Sequence, residues 1–187
     1  MIVEVLGLSG VGKTTVINKN RAEIDALFQV VESRKYTLVN SLLTRFYYFT
    51  RFKYLTRDKM LAQKISYRMS FRTMRRGDKN LFYFDSGVAQ LFLESLIAAN
   101  FANIDEINKI VDKTTMPDVT VYLKDDVERI VERELARPER RFTLNRSELM
   151  ERYSKIEELI EKKVLFPHKT MYMVTIDNFM DKLRELK

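Results

Sequence analysis

Met1-Ile-Val-Glu-Val-Leu6, followed at once by Gly7-Leu-Ser-Gly-Val-Gly12-Lys13-Thr14-Thr15, is the stretch that decides how this chain folds. Gly7, Gly12, Lys13 and Thr14 satisfy the spacing G-x-x-x-x-G-K-[ST], between a short apolar run and a helix-like stretch. In that context the glycines let the backbone wrap a polyphosphate closely enough for loop N–H groups to donate to its oxygens. Lys13 is placed to reach the β- and γ-phosphates, and the Thr14 hydroxyl to ligate Mg²⁺. The positive end of the helix beginning there adds to the anion site. A glycine-rich turn that binds nothing is the competing reading, but it leaves the order of strand, loop and helix unexplained. The stretch predicts a site for a nucleoside triphosphate.

Working outward, 187 residues with an apolar fraction of 45% and a charged fraction of 32% fit one globular domain, 1–187, with a sizeable core. The chain has no cysteine, which removes disulfides and thiolate metal sites and suits a reducing cytoplasm. The N-terminus runs directly into strand and loop, from which no signal peptide is expected, and no apolar run approaches the roughly 18 residues of a spanning helix. A cytoplasmic, soluble protein is the expectation. The net charge of +7 invites a nucleic-acid reading. A small phosphotransferase gripping two phosphorylated substrates also needs many arginines and lysines, so charge alone decides nothing.

Taken in order, Ile2–Leu6 reads as a buried parallel strand and Thr14 to about Ala26 as the helix after it, with Val16, Ile17, Ile24 and Leu27 toward the sheet. Phe28–Val31 reads as a second strand, running into Glu32-Ser33-Arg34-Lys35. Ligands of open α/β sheets bind beyond the carboxyl ends of the strands, so Glu32 and Arg34 are candidates for a substrate site, against a plain solvated turn. The segment from about 36 to 76 reads as two helices, about 37–55 and 58–76. Within it, 44–55 mixes aromatics and bases; core packing is the bland reading, and a stacking or membrane-surface helix the functional one. On the next helix Arg68, Arg72 and Arg75/Arg76 share a face. Such a row is ordinarily solvated, but it leads into the next strand, so Arg68 or Arg72 could grip a substrate phosphate.

Leu81–Phe84 is a strongly apolar strand ending at Asp85-Ser86-Gly87. A carboxylate there can hold Mg²⁺ through water or accept a hydrogen bond from an attacking hydroxyl; it can also serve as a helix N-cap. Helices are expected over 88–100 and 104–113, a strand at Val119–Leu123, and a helix from Asp126 to the neighbourhood of Arg137. Arg129, Arg133 and Arg137 share a face of that last helix, with Glu128, Glu132 and Glu134 available to neutralise them. Beyond Pro138, Arg140 and Arg141 lie outside those pairings. A mobile arginine-bearing segment suits phosphoryl transfer, where charge on the migrating group is neutralised only as the site closes. An amphipathic helix from Ser147 to about Lys163, a loop holding the sole histidine, His168, a strand Met171–Ile176 and a short helix from Asp177-Asn178 complete the chain.

These residues resemble the thymidylate kinase group of P-loop kinases, whose relatives include the deoxynucleoside kinases. Gly7 to Thr15 is similar to that group's loop G-x-[DS]-G-x-G-K-[ST]-T, and Pro117-Asp-Val-Thr-Val-Tyr-Leu123 to its strand P-D-[LV]-T-x-Y-L. Ile176-Asp177 is similar to its last strand and the loop that contacts adenine, and Arg68 lies near the arginine used on the acceptor phosphate. The resemblance implies an α/β P-loop fold, an open parallel sheet of five strands flanked by helices, with a lid over about 137–146. It implies ATP and Mg²⁺, with Gly7, Ser9, Gly10, Val11, Gly12, Lys13, Thr14 and Thr15 on the donor phosphates, Asp177 at the adenine and Arg133 stacking on it. Lys13, Arg133, Arg137, Arg140 and Arg141 would stabilise the migrating group. Asp85 would position Mg²⁺ or the acceptor hydroxyl; Thr14 and Asp85 are thus the metal-side residues.

The departures fall on the acceptor side. Where thymidylate kinases follow the carboxylate with arginine, Asp85 is followed by Ser86, and Glu32-Ser33-Arg34-Lys35 replaces the R-E-P-G turn. The expectation is a kinase whose small-molecule acceptor is not ordinary dTMP, with Glu32, Arg34, Arg68, Arg72 and Ser86 around it: another nucleotide, a nucleoside, or a sugar-like alcohol. A GTPase switch fits poorly, since Asp85-Ser86-Gly87 has the wrong spacing for D-x-x-G and Leu123 stands where the guanine-reading motif needs asparagine. A basic ATP-binding protein for nucleic acid or an anionic membrane surface is the rival from another class, ranked behind the kinase. A homodimer is compatible with the sequence.

Overall fold

All five residues of β1 (Ile2–Leu6) are buried, as are all five of β4 (Val119–Leu123), because each strand is covered on both faces, the polar Glu4 and Thr120 included. The computed structural model of the chain describes residues 1–31, 80–83, 87–98, 104–112, 116–138 and 142–187. The sheet is wholly parallel, in the order β2-β3-β1-β4-β5, where β2 is Gln29–Val31, β3 Leu81–Tyr83 and β5 Met171–Val174. The register places Ile2 beside Leu81, Val3 beside Val119 and Thr120 beside Met171. Helices α1 (Lys13–Lys19), α2 (Arg21–Leu27), α3 (Val88–Ala98), α4 (Ile104–Asp112), α5 (Val127–Leu135), α6 (Arg146–Glu161) and α7 (Phe179–Glu185) flank it among the described residues. This is the expected α/β P-loop fold with its five-stranded parallel sheet. No described helix is long and apolar enough to cross a membrane.

Several boundaries differ from the sequence expectation for local reasons. The helix expected over 14–26 is two helices broken at Asn20, whose backbone sits at φ −109°, ψ 18°. The Asn20 side-chain amide donates to the Val16 carbonyl at 2.8 Å, the local competition with helical bonding that makes asparagine a helix interrupter. The helix expected from Ser147 begins earlier, because Asn145 and Glu148 form a reciprocal capping box (3.0 and 2.9 Å). β5 ends at Val174, so Ile176, expected inside that strand, lies in the exposed loop after it. The region about 36–76, with the aromatic and basic stretch 44–55, and residues 139–141 of the 137–146 segment lie outside the described residues.

One charge sits in the middle of the central strand. Glu4 is 0% exposed, and its carboxylate accepts from the backbone N–H of Ala89 (3.1 Å) and of Gln90 (2.9 Å), in the first turn of α3. The helix supplies otherwise unpaired donors and the positive end of its dipole, which is what makes a buried carboxylate tolerable there. Gly87 precedes that helix, and a Cβ on it would lie 2.1 Å from the Glu4 carboxylate. Glu4 and Gly87 are therefore matched. Glu4→Ala, which leaves two buried N–H groups unpaired, is expected to cost about 2–4 kcal/mol, a fall in Tm of about 5–12 °C for a chain of this size. Thermal melts of the two proteins decide it, and an unchanged Tm would show that water replaces the carboxylate without penalty.

Candidate phosphate loop and nucleotide cleft

The loop between β1 and α1 is shaped by contacts with its surroundings. Val11 N–H donates to the Leu8 carbonyl at 3.2 Å, closing a turn, and Gly10 and Gly12 adopt φ +98° and +96°. Those are left-handed values that residues with a Cβ rarely adopt. The Lys13 ammonium donates to the Gly7 carbonyl at 2.6 Å and to that of Leu8 at 3.4 Å, so it folds over its own loop. Gly7 N–H donates in turn to the Gln90 side chain at 3.2 Å. Thr14 and Thr15 are exposed at the start of α1. The sequence-derived set Gly7, Ser9, Gly10, Val11, Gly12, Lys13, Thr14 and Thr15 thus forms the loop and the first turn of α1, at the carboxyl end of the central strand, where open α/β sheets bind ligands.

Beside it lies a cleft of about 520 Å³ between the ends of β4 and β5. Lys124, Asp125, Asp126, Arg129 and Arg133 line one wall; Thr175, Ile176 and Asp177 line the other. Ile176 connects cleft to loop, its Cδ1 being 3.5 Å from where a Cβ on Gly12 would stand. Arg133 faces both, donating to Asp125 Oδ2 at 2.7 Å and to the Gly10 carbonyl at 3.5 Å. Burial opposes the charge on Asp125, but the Asp126 N–H and the Arg133 guanidinium outweigh it and hold its carboxyl below the usual carboxylate range. Arg137 reaches the loop from the end of α5, donating to Ser9 Oγ at 2.9 Å.

Of the residues singled out from sequence, Arg133, Arg137 and Asp177 therefore gather around the loop and cleft. Glu32, Arg34, Arg68, Arg72, Asp85, Ser86, Arg140 and Arg141 lie outside the described residues. Among the described residues no group of three or more His, Cys, Asp or Glu side chains could hold a metal ion. His168 is exposed in its loop. The neutralisation expected along α5 takes a different form. Among the described residues Glu134 pairs with Arg137 at 3.1 Å, whereas Glu128 and Glu132 face Arg146 at 2.7 and 3.9 Å. Glu134 is not a solvated charge: it is 0% exposed. Its signal was available, since it follows buried Ile130 by four residues on the inward face of the helix. Lys124, Asp125 and Gln90 carry no signal in the sequence as site residues, because a single polar residue after a strand or within a helix has no diagnostic spacing; Arg129, read from its helical spacing, does line the cleft.

Behind the cleft, Tyr122 on β4 donates its hydroxyl to Glu157 of α6 at 2.5 Å, and Lys124 pairs with Glu161 and, at 3.6 Å, with Glu157. Burial pushes the Tyr122 hydroxyl well above its ordinary range, and also raises Glu157 from its ordinary value of 4.5, against the Tyr122 and Lys124 contacts that lower it. With a folded-state pKa above the unfolded one, Glu157 binds more proton in the folded chain between those two values. Stability present below the ordinary value is therefore lost as pH rises through the folded pKa. Glu157→Gln is expected to remove that loss. Its Tm relative to the unaltered protein should improve as pH rises above the ordinary carboxylate value of 4.5; a pH-independent difference would refute the assignment.

The sequence matches no family model, and no curated protein matches it. Solved structures do match in fold. Among them is deoxyadenosine kinase from M. mycoides with the products dCMP and a flexible dCDP bound, at TM-score 0.61 and 15% identity, covering 100% of both chains. The same enzyme with bound dATP gives TM-score 0.61 and 15% identity over 98% of this chain and 99% of that one. With bound dCTP the values are 0.53 and 13%, over 100% and 96%. At such identity the likeness is one of fold.

Proposed function

We propose that the chain is an ATP-dependent phosphotransferase of the nucleoside-kinase type, moving the γ-phosphoryl of ATP to a hydroxyl or phosphate of a small acceptor. The observation that carries this reading is the junction of two features: a phosphate loop with Lys13 folded over it, and an adjoining cleft, with Arg133 facing both. In this reading the loop N–H groups and Lys13 hold the donor phosphates. The cleft takes the donor base, with Asp177 at its edge and Arg133 or Arg129 over its face. The exposed Thr14 hydroxyl fits a Mg²⁺ otherwise held by phosphate oxygens and water, the usual environment of that ion in kinases. When bound, the ion offsets charge on the β- and γ-phosphates. The acceptor oxygen forms its bond to the γ-phosphorus as the bond to the bridging oxygen breaks; ADP leaves, and the proton of a hydroxyl acceptor passes to Asp85. Arg137, Arg140 and Arg141 are proposed to stand by the migrating group.

A nucleoside or nucleotide acceptor is supported by the shared fold with deoxyadenosine kinases, structures of which carry deoxynucleotides. Ser86 in place of the thymidylate kinase arginine argues against ordinary dTMP. The test is ATP consumption with Mg²⁺ against nucleosides, nucleoside monophosphates and sugars, with Lys13→Ala as control. Turnover with a nucleoside or nucleotide, lost in the variant, is the expected result. A sugar as sole acceptor would mean that only the donor half follows the kinases. Bound ATP without turnover on any acceptor would favour a non-catalytic binding protein, whose binding to nucleic acid or anionic vesicles would weaken steeply with salt.

A further inference from the structure

The loop is tied to α5 by a partly buried polar ring. Ser9 Oγ donates to Glu134 Oε2 at 2.7 Å; Arg137 donates to Ser9 Oγ at 2.9 Å and pairs with the same Glu134 oxygen at 3.1 Å. The Ser9 hydroxyl is donor to one partner and acceptor from the other. A carboxylate with no solvent exposure is costly unless paired, so Glu134 is held wherever Ser9 and Arg137 are held, and they by it. The backbones meet at the same place: a Cβ on Gly10 would stand 2.4 Å from the Ile130 carbonyl. Ser9 and Glu134 lie 125 residues apart, so the ring joins the two ends of the proposed donor site rather than neighbours in the chain.

We infer that Glu134 is a positioning residue which, through Ser9 and Arg137, locks the phosphate loop to the C-terminal end of α5 and so pre-forms the loop for a nucleoside triphosphate. It touches no phosphate itself. Arg137, with a side chain 42% exposed, keeps one edge in the ring and one toward solvent at the loop. A loop fixed before binding avoids the ordering cost that a loose one would meet on contact with the ligand. The consequence for ATP rests on the phosphotransferase reading; the lock itself does not.

Ser9→Ala and Glu134→Gln, prepared as full chains, test it by two readouts. Hydrogen exchange of the nucleotide-free protein is expected to quicken about tenfold at the amides of residues 7–12 and 133–137, and not in β4 or α6. The Kd for Mg²⁺ with the non-transferring analogue AMP-PNP is expected to rise about tenfold. The double variant should be little worse than either single one, because the members of the ring act together. In turnover the donor KM should rise while the acceptor KM stays. Ile156→Ala, a core change in α6, supplies a destabilised control in which loop exchange is unaltered. Ser9→Ala retains the fold even if Glu134→Gln does not, since only a hydroxyl is lost. Unchanged exchange in the loop, or exchange quickened equally throughout the chain, overturns the lock. Failure of the unaltered protein to bind AMP-PNP would instead refute the donor reading, leaving exchange to decide the lock.

Discussion

Lys13→Ala is expected to lower ATP turnover by about a hundredfold or more, the usual scale for removing one fixed charge-stabilising donor from a reacting centre, with little effect on the fold. In the nucleotide-free protein the Lys13 ammonium bonds to the Gly7 and Leu8 carbonyl oxygens, and the loop shape it covers is also set by the Val11 turn and by packing against α5. Losing those bonds should cost about 1 kcal/mol, or a few degrees of Tm. In the proposed reaction the effect on catalysis is larger, because there the ammonium would follow charge as it shifts between the β- and γ-phosphates. Steady-state kinetics with the acceptor found by screening, alongside a melt, separates the two. Turnover within about threefold of the unaltered protein would mean that phosphoryl transfer does not run through this loop.

The second large effect is on stability. Gly10→Ala meets two obstacles: φ of +98°, and a backbone oxygen, that of Ile130, 2.4 Å from the new methyl group. The left-handed backbone costs about 1–2 kcal/mol, and displacing α5 adds about 1–3 kcal/mol of overpacking. A fall in Tm of about 6–12 °C follows, with loss of nucleotide binding, since loop and helix cannot both keep their places. Gly12→Ala is the informative companion. It has a similar φ of +96°, but its methyl group would meet only Ile176 Cδ1, at 3.5 Å. Strain alone then applies, about 1–2 kcal/mol. If Gly12→Ala proved as damaging as Gly10→Ala, packing against α5 would not be what fixes the loop.

Much of this architecture was legible in the chain because its signals are local. Short, mostly apolar runs announce β1 and β4, and the glycine spacing announces the loop between β1 and α1, since backbone reach and glycine conformation depend on nearest neighbours. Asn20 was misread for the opposite reason. Asparagine is compatible with a helix on propensity alone, and only its bond to the Val16 carbonyl reveals the break. Glu134 is legible as a partner for the arginines of its helix, and it does pair with Arg137, but its bond to Ser9, 125 residues away, is not.

What the sequence by itself determined, then, is the loop and its setting: a G-x-x-x-x-G-K-[ST] loop on an α/β parallel sheet, running from β1 into α1, written in contiguous residues. The tertiary structure alone decided which distant groups meet there. It set Glu4 under the first turn of α3, Gln90 against Gly7, Arg133 between cleft and loop, and Glu134 between Ser9 and Arg137. Such contacts join residues some 80 to 130 positions apart. Their energy comes from satisfying buried polar groups after the sheet has brought them together, and no spacing rule along the chain encodes which partner arrives.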